Sequence, residues 1–472
     1  PNTYQYRSGM ASRKPDGDGH KFSTTKGFND EYQLGYGGSH GGAGGYMYIE
    51  LTHYSPPSLS GGSPGALDTY GGVMGYGSYK LPRTIGSSGT SGYWTSSNQK
   101  FGGAGGAAFE VRTASLILEG TIEMNGENGE DSSWYHYART GCGGGAGGSI
   151  LLHVDGEIHG SGALYARGGA GGYGVWGGGG GGGGGRIAIY SGKRLDTLNM
   201  SVVGGHIVEP NKGPAGGAGT IYLQNIPSGN TSLIIDNEGQ VQIPQYLTDI
   251  KLDLEGVATS MDDGNEDASS ISFTSMTVIG NAITGFAPRL EKAYPRPVTI
   301  DIDTIVGDKT GRIKVKNNQT VVFRENTQDP LEYSSYEQSK SMADTNELEV
   351  ISKTTRTLGA SLSLLVSVTV DTYGALALPR SSEISGVSIN LKGALVQTVK
   401  HLYIVNEATL ILGPNAYTLG EDSTTLSFAT LNVHTGGNIE CEGPRHTIIT
   451  ENFLLGGPPS TPLSTVKVRG TL

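Results

Sequence analysis

The sequence predicts an all-β fold: an elongated parallel β-helix or β-solenoid whose first half carries glycine-rich, polyglycine-II-like or loop layers. Three observations predict it. A glycine-rich patch precedes a short apolar strand four times in the first half. Short strands separated by tight corners recur through the second half. Windows with the i, i+3, i+4, i+7 apolar pattern of a helix are few.

The repeat runs as follows. Gly102-Gly103-Ala104-Gly105-Gly106 leads into a strand at 108–112, and Gly144-Gly145-Ala146-Gly147-Gly148 into one at 149–153. A run of nine glycines, 177–185, leads into 186–190, and Ala215-Gly216-Gly217-Ala218-Gly219 into 220–224. The strand starts are 41, 37 and 34 residues apart. A second strand follows the first: 120–126 aligns with 162–168, each alternating apolar and polar residues between bounding glycines.

Glycine in such patches has two physical readings. Fixing nine glycines costs on the order of 10 to 20 kcal/mol, at roughly 1–2 kcal/mol per residue, with no side chain to bury in return. One reading is a set of solvated, flexible loops. The other is a closely packed backbone layer, because chains without Cβ atoms can approach and pair N–H with C=O laterally, as in polyproline-II-like bundles. Recurrence in phase with the strands favours the packed layer.

Of 78 glycines, 58 fall in residues 1–220 and 20 in the remainder, which places a boundary between a glycine-rich repeat region at 1–225 and a strand-rich region at 226–472. In the second region 367–371 precedes 374–378, 402–405 precedes 408–412, 431–433 precedes 437–441, and 466–468 precedes 470–472, at intervals of roughly thirty residues, as successive coils would. A polar, acidic stretch near 324–348 reads as an inserted surface loop. The last segment, 466–472, reads as the opening of a further coil, so end-to-end polymerisation or truncation from a larger protein is expected.

Composition narrows the function classes. A net charge of −11 without a basic cluster longer than two residues argues against nucleic acid as a partner. No apolar run reaches 18 residues, so no membrane-spanning helix is expected. The chain starts at Pro1 without a signal peptide or initiating Met and reads as a processed or partial chain. Cys142 and Cys441 are either buried free thiols or partners in a long-range or intermolecular disulfide.

Motifs for chemistry are sparse. P-loop, HExxH and CxxC patterns are absent, and GxGxxG matches carry no information in so glycine-rich a chain. His153, Asp155, Glu157 and His159 alternate, so one continuous strand would present all four to a divalent metal; Asp155-Gly156 is a turn signal that breaks such a strand. Asp16 and Asp18, and the pair Asp262 and Asp263, are candidate Ca2+ ligands on tight turns. Neither set has the terminal Glu of an EF-hand, and no cofactor is expected. Glu130-Asp131 is a carboxylate pair of the kind glycoside cleavage uses, without a converging acidic and basic set beside it. Candidate glycosylation sites are Asn199, Asn230 and Asn318 in N-x-S/T sequons, and Pro56, Pro57, Ser58, Pro458, Pro459 and Ser460 in Ser/Pro clusters.

Residues 37–45, Tyr76-Gly77-Ser78-Tyr79, 102–106 and 177–190 follow one another in an order that resembles the glycine-rich repeat modules of very large extracellular surface proteins of algae and related protists, among them the protein of tubular flagellar hairs (mastigonemes). The resemblance covers about residues 35–225. It implies an extracellular, often glycosylated, filament-forming protein whose partners are copies of itself, other fibril proteins and covalent glycans. It implies no catalytic residue. The expected function is therefore structural and not enzymatic. The alternatives are a surface adhesin or carbohydrate-binding module using Trp134, Tyr135 and Tyr137 as stacking platforms, and a polysaccharide-active β-helix enzyme.

Overall fold

A computed structural model describes residues 38–44, 75, 77–89, 101–131, 141–174, 178–192, 198–206, 215–240, 248–251, 270–287, 298–316, 319–324, 362–396, 399–419, 425–434, 436–442, 447–455 and 465–469. Among these residues the protein is all-β, without a helix, and its sheets are mostly parallel, in a β-solenoid-like succession.

In chain order the strands are β1 (Ala108–Thr113), β2 (Leu116–Ile117), β3 (Thr121–Glu123), β4 (Ser149–Val154), β5 (Ile158–His159), β6 (Ala163–Tyr165), β7 (Arg186–Ser191), β8 (Asn199–Ser201), β9 (Thr220–Asn225), β10 (Thr231–Asp236), β11 (Thr248–Lys251), β12 (Ser270–Ile279), β13 (Ile283–Ala287), β14 (Val298–Gly307) and β15 (Arg312–Val315). They continue as β16 (Gln319–Phe323), β17 (Leu362–Leu364), β18 (Ser367–Val370), β19 (Ala375–Ala377), β20 (Ser381–Ser385), β21 (Ser388–Leu391), β22 (Ala394–Leu395), β23 (His401–Val405), β24 (Thr409–Leu412), β25 (Tyr417–Thr418), β26 (Thr425–Val433), β27 (Asn438–Glu442), β28 (Thr447–Leu455) and β29 (Thr465–Arg469). Two compact units result, one of Pro1–Gly229, Leu233–Ala258 and Gly280–Thr284, the other of Asn230–Ser232, Thr259–Ile279 and Gly285–Leu472.

In the first unit, β1, β4, β7 and β9 pair side by side, as do β2 with β5, and β3, β6 and β8. Ala108, Ser149, Arg186 and Thr220 share one rung, so the four strand starts read from the sequence are in register. Thr121 likewise faces Ala163, as the alignment of 120–126 with 162–168 expects, and Ala163 faces Asn199. The apolar residues stack along these rungs. Ile150, Ile187 and Ile221 form one buried column, and Leu152, Ile189 and Leu223 another. The strands β4, β7 and β9 are buried on both faces, which is why they read as nearly continuous apolar runs instead of alternating ones.

In the second unit the same logic runs with shorter turns. Strands β17, β20, β23, β26 and β28 form one parallel sheet, and β15, β18, β21, β24, β27 and β29 are consecutive in another. Leu364, Ile384, Ile404 and Val433 form a column, each fully buried. The first three lie 20 residues apart, closer than the interval of roughly thirty expected from the sequence. The difference arises at β20 to β22, a coil whose strands carry Ser381, Ser382, Ser385, Ser388 and Asn390 among few large apolar residues, so apolar periodicity alone passes over it. Corners from the first sheet to the second use left-handed backbone, at Gly386 (φ 65°), Asn406 (φ 52°) and Gly436 (φ 80°).

Candidate functional site

The feature that sets this chain apart lies beside the strands of the first unit. Residues 141–148 are buried throughout, and their backbone bonds to six other segments. Cys142, Gly145 and Gly148 donate N–H to the carbonyls of Glu130, Glu127 and Met124, at 3.2, 2.9 and 2.7 Å. Gly144 and Gly147 donate to Gly180 and Gly183, and Ala146 donates to Ser87. In the other direction Gly103 and Gly106 donate to Gly143 and Ala146, Gly169 and Gly172 donate to Gly145 and Cys142, and Gly38 donates to Gly144. Every third residue therefore addresses the same neighbour.

The same period governs residues 178–185. Gly179, Gly182 and Gly185 donate to Gly172, Gly169 and Ala166, running antiparallel to that neighbour, while Gly184 donates to Gly217 and Gly205 donates to Gly182. A β-strand, with its period of two, pairs with neighbours in a single plane. A period of three sends successive amides to different sides of the chain, so the segments pack as a bundle and not as a sheet.

Bare backbone is a condition of this packing. A Cβ on Gly145 would overlap the carbonyl oxygen of Ala104, one on Gly182 that of Gly145, and one on Gly147 that of Ala166. In each case the obstacle is backbone, which cannot swing aside. At Gly120, by contrast, a methyl group would meet open space.

On the rim of the bundle the triplets Asn125-Gly126-Glu127 and Asn128-Gly129-Glu130, followed by Asp131, assign one residue type to each side. The side-chain oxygens of Asn125, Asn128 and Asp131 accept from the amides of Arg167, Ala170 and Tyr173 at 2.8, 2.8 and 2.6 Å. A Cβ on Gly126 or Gly129 would overlap the carbonyl of Gly145 or Cys142. Glu127 and Glu130 face the 101–104 stretch: their backbone N–H groups donate to the carbonyls of Ala104 and Phe101, and their carboxylates accept from the amides of the same two residues. This signal stood in the sequence as a three-residue repeat.

Residues 38–44 and 77–89 cover the second face of the β4–β7–β9 sheet. Buried His40 bonds through Nδ1 to the carbonyl of Gly147 and through Nε2 to Thr84 Oγ1, both at 2.8 Å. A carbonyl only accepts, so Nδ1 carries the proton and Thr84 donates to Nε2. The imidazole thus fills the place next along from Gly38 in the row of donors to 144 and 147. Burial, and then the nearby Arg186 guanidinium, push the His40 pKa from 6.5 down to about 3. Arg186 is itself fully buried and donates to Thr220 Oγ1 at 2.9 Å. Tyr79 packs edge-on against Tyr222 with centroids 5.5 Å apart, and burial raises its phenol pKa. Tyr190 donates to the Lys80 carbonyl, and burial pushes it up to about 12. Tyr190 also stacks on His153 at 5.6 Å, within a register row of Arg112, His153, Tyr190 and Gln224.

The four alternating residues proposed as a metal set do not share a face. The strand ends at Val154, the chain bends at Asp155 and Gly156, and two separate pairs form: His153 with Asp155 at 3.3 Å and His159 with Glu157 at 2.7 Å. Among the described residues, no three His, Cys, Asp or Glu side chains gather. Glu130 and Asp131 bond to different neighbouring segments instead of facing a common cleft. Asn199 is exposed and opens β8, where its amide donates to Tyr165 Oη at 3.2 Å; Asn230 is exposed between β9 and β10. Cys142 and Cys441 are both buried, and neither is joined in a disulfide. Asp16, Asp18, Pro56, Pro57, Ser58, Trp134, Tyr135, Tyr137, Gly177, Asp262, Asp263, Asn318, the insertion from 325 to 348, Pro458, Pro459 and Ser460 lie outside the described residues.

No family model matches this chain, and no match is found among curated proteins or among solved structures. Among the described residues no helix is long and apolar enough to cross a membrane.

Two outcomes follow from the bundle geometry. Gly145→Ala lowers stability by at least about 2 kcal/mol, because a backbone carbonyl must move, whereas Gly120→Ala stays within about 0.5 kcal/mol; thermal and denaturant unfolding measure both. For His40, the neutral imidazole exists in both states above pH 6.5 and adds no pH slope there. Below 6.5 the unfolded chain takes a proton that the folded chain refuses until about pH 3, so stability falls by roughly 1.4 kcal/mol per pH unit across that window. His40→Gln removes that component of the slope in unfolding titrations from pH 7 to 4.

Proposed function

We propose that this chain is a structural, extracellular protein: a protomer of a filament or surface fibril, similar in kind to the glycine-rich modules of mastigoneme-like proteins, and that it works by assembly and not by catalysis. In this reading its 141–148 and 178–185 segments form a polyglycine-II-like bundle held by solenoid coils, the partners are further copies and other fibril proteins, and exposed Asn199 and Asn230 carry glycans. The observation that supports it is the three-residue period of lateral backbone bonds around residues 141–148, since polyproline-II chains have three residues per turn and no internal hydrogen bonds. Such a lattice spends its residues on stiffness. It offers few side chains with which to recognise or transform a substrate.

A second reading, a carbohydrate-binding surface, is favoured by the half-exposed row of Arg112, His153, Tyr190 and Gln224. It sets an aromatic ring between polar side chains at the interval of adjacent strands.

Negative-stain electron microscopy and sedimentation of the full chain distinguish the two. The structural reading expects concentration-dependent linear assemblies. Monodisperse particles that bind a glycan array, with binding lost in Tyr190→Ala, contradict it and establish the second.

A further inference from the structure

The outward face of one sheet in the second unit carries polar side chains that the packing of the fold does not require. In β20, β23 and β26, Ile384, Ile404 and Val433 point inward and are fully buried, so the residues that alternate with them point outward. They form two rows across the strands. Ser381, His401 and Thr430 share one row, and all three are half-buried. Glu383, Tyr403 and Asn432 share the other. Asn432 is 9 % exposed, and its Oδ1 is buried without a hydrogen-bond partner. An unmet buried acceptor is uncommon in a folded chain and calls for a donor.

Two cations stand at the entrance to the same strands. The Arg380 carbonyl accepts from the amides of Lys400 and His401 at 2.8 and 2.9 Å, and the Lys400 carbonyl accepts from those of Ala429 and Thr430 at 2.8 and 3.0 Å. The entrance is therefore built alike on successive rungs, and it sets Arg380 and Lys400 one rung apart, next to the Ser381–His401–Thr430 row. Like charges on adjacent strands repel. Among the described residues neither side chain is held by an ion pair or a hydrogen bond. Glu451 follows in that line two rungs beyond Lys400. Arg380 is exposed and Lys400 half-buried, whereas Glu383, the one carboxylate of the two rows, is 4 % exposed. An uncompensated cation pair, on a chain whose net charge is −11, suits an anionic ligand.

We infer that this face binds an acidic polysaccharide, a glycan bearing carboxylate or sulfate groups, laid across β20, β23 and β26. Arg380 and Lys400 take the acidic groups. The hydroxyls of Ser381 and Thr430, with His401, Tyr403 and Asn432, exchange hydrogen bonds with those of the sugar. The occupant is a glycan because the face repeats: strands ~4.8 Å apart present similar polar groups at a regular interval, as an extended polymer of similar residues does. A sugar hydroxyl both donates and accepts, so it serves the acceptor of Asn432 as well as the donors beside it. Duplex nucleic acid would draw on many more cations than two and would be repelled by the rest of the chain. The face belongs to the second unit and shares no residue with the row of Arg112, His153, Tyr190 and Gln224 in the first. It presents the same groups whether the chain is assembled or single.

Isothermal titration of the full chain with polygalacturonate, dextran sulfate, uncharged dextran, polyglutamate and duplex DNA tests the site. Binding is expected to one or both acidic polysaccharides, weakening as salt rises, and to none of the other three. The double variant Arg380→Gln, Lys400→Gln binds at least about tenfold more weakly. Its melting curve matches that of the parent, because neither side chain loses a partner among the described residues. Thr430→Val, which removes the hydroxyl and keeps the shape, also weakens binding, and Tyr190→Ala leaves it unchanged. Equal affinity for polyglutamate or DNA overturns the inference by showing charge attraction alone. Full-strength binding by the double variant, or no binding to either acidic polysaccharide, overturns it as well. Assembly of the double variant, followed by sedimentation, is expected to match the parent, so failure of this site and failure of the filament reading are separate results.

Discussion

The first unit depends on backbone hydrogen bonds made sideways between chains that have no Cβ. Buried N–H and C=O groups must be paired, and here they are paired neither within a helix nor across a flat sheet, but to several neighbours in turn. Removing side chains brings the segments within reach. It also leaves glycine with more conformational freedom to lose than any other residue. One lateral bond contributes about 0.5–1.5 kcal/mol net, which does not exceed the roughly 1–2 kcal/mol needed to fix each residue. The glycine segments therefore do not order themselves.

What orders them is the solenoid-like stack beside them. Each segment is continuous with a strand: 102–107 runs into β1, 141–148 into β4, 178–185 into β7 and 215–219 into β9. The strands stack in register through buried Ile and Leu columns, and this fixes one end of every glycine segment at the spacing of neighbouring chains. The period then changes from two to three where the chain leaves the strand. At that junction Arg186 and His40 are buried together, and burial beside a guanidinium keeps the imidazole neutral. The second unit needs no such layer, because its coils are short and its inward residues fill the interior directly.

Much of this was legible in the sequence. Four strand starts and the alignment of 120–126 with 162–168 fell into register because glycine patches and apolar runs mark them without ambiguity. The turn at Asp155-Gly156 was legible too, and it divides His153 and Asp155 from Glu157 and His159. Three features were not. The β20–β22 coil was passed over because its strands carry four Ser residues and few large apolar ones. Strand β8 is three residues long, and its Asn199 drew attention as a sequon, not as a rung. His40 gave no local sign of burial, since its partners, Thr84 and Gly147, are 44 and 107 residues away in sequence. The Asn-Gly-Glu triplets were visible as a repeat, but a period of three has meaning only once lateral chain packing is known.

Amide hydrogen exchange on the native chain, read residue by residue over 141–148 and 178–185, tests the central claim most directly. If lateral bonds hold these segments, their amides exchange as slowly as those of β4 and β7, which they adjoin. Exchange at the rate of an unstructured glycine chain, with β4 and β7 still protected, would show that the strands stand without the bundle and would contradict the account.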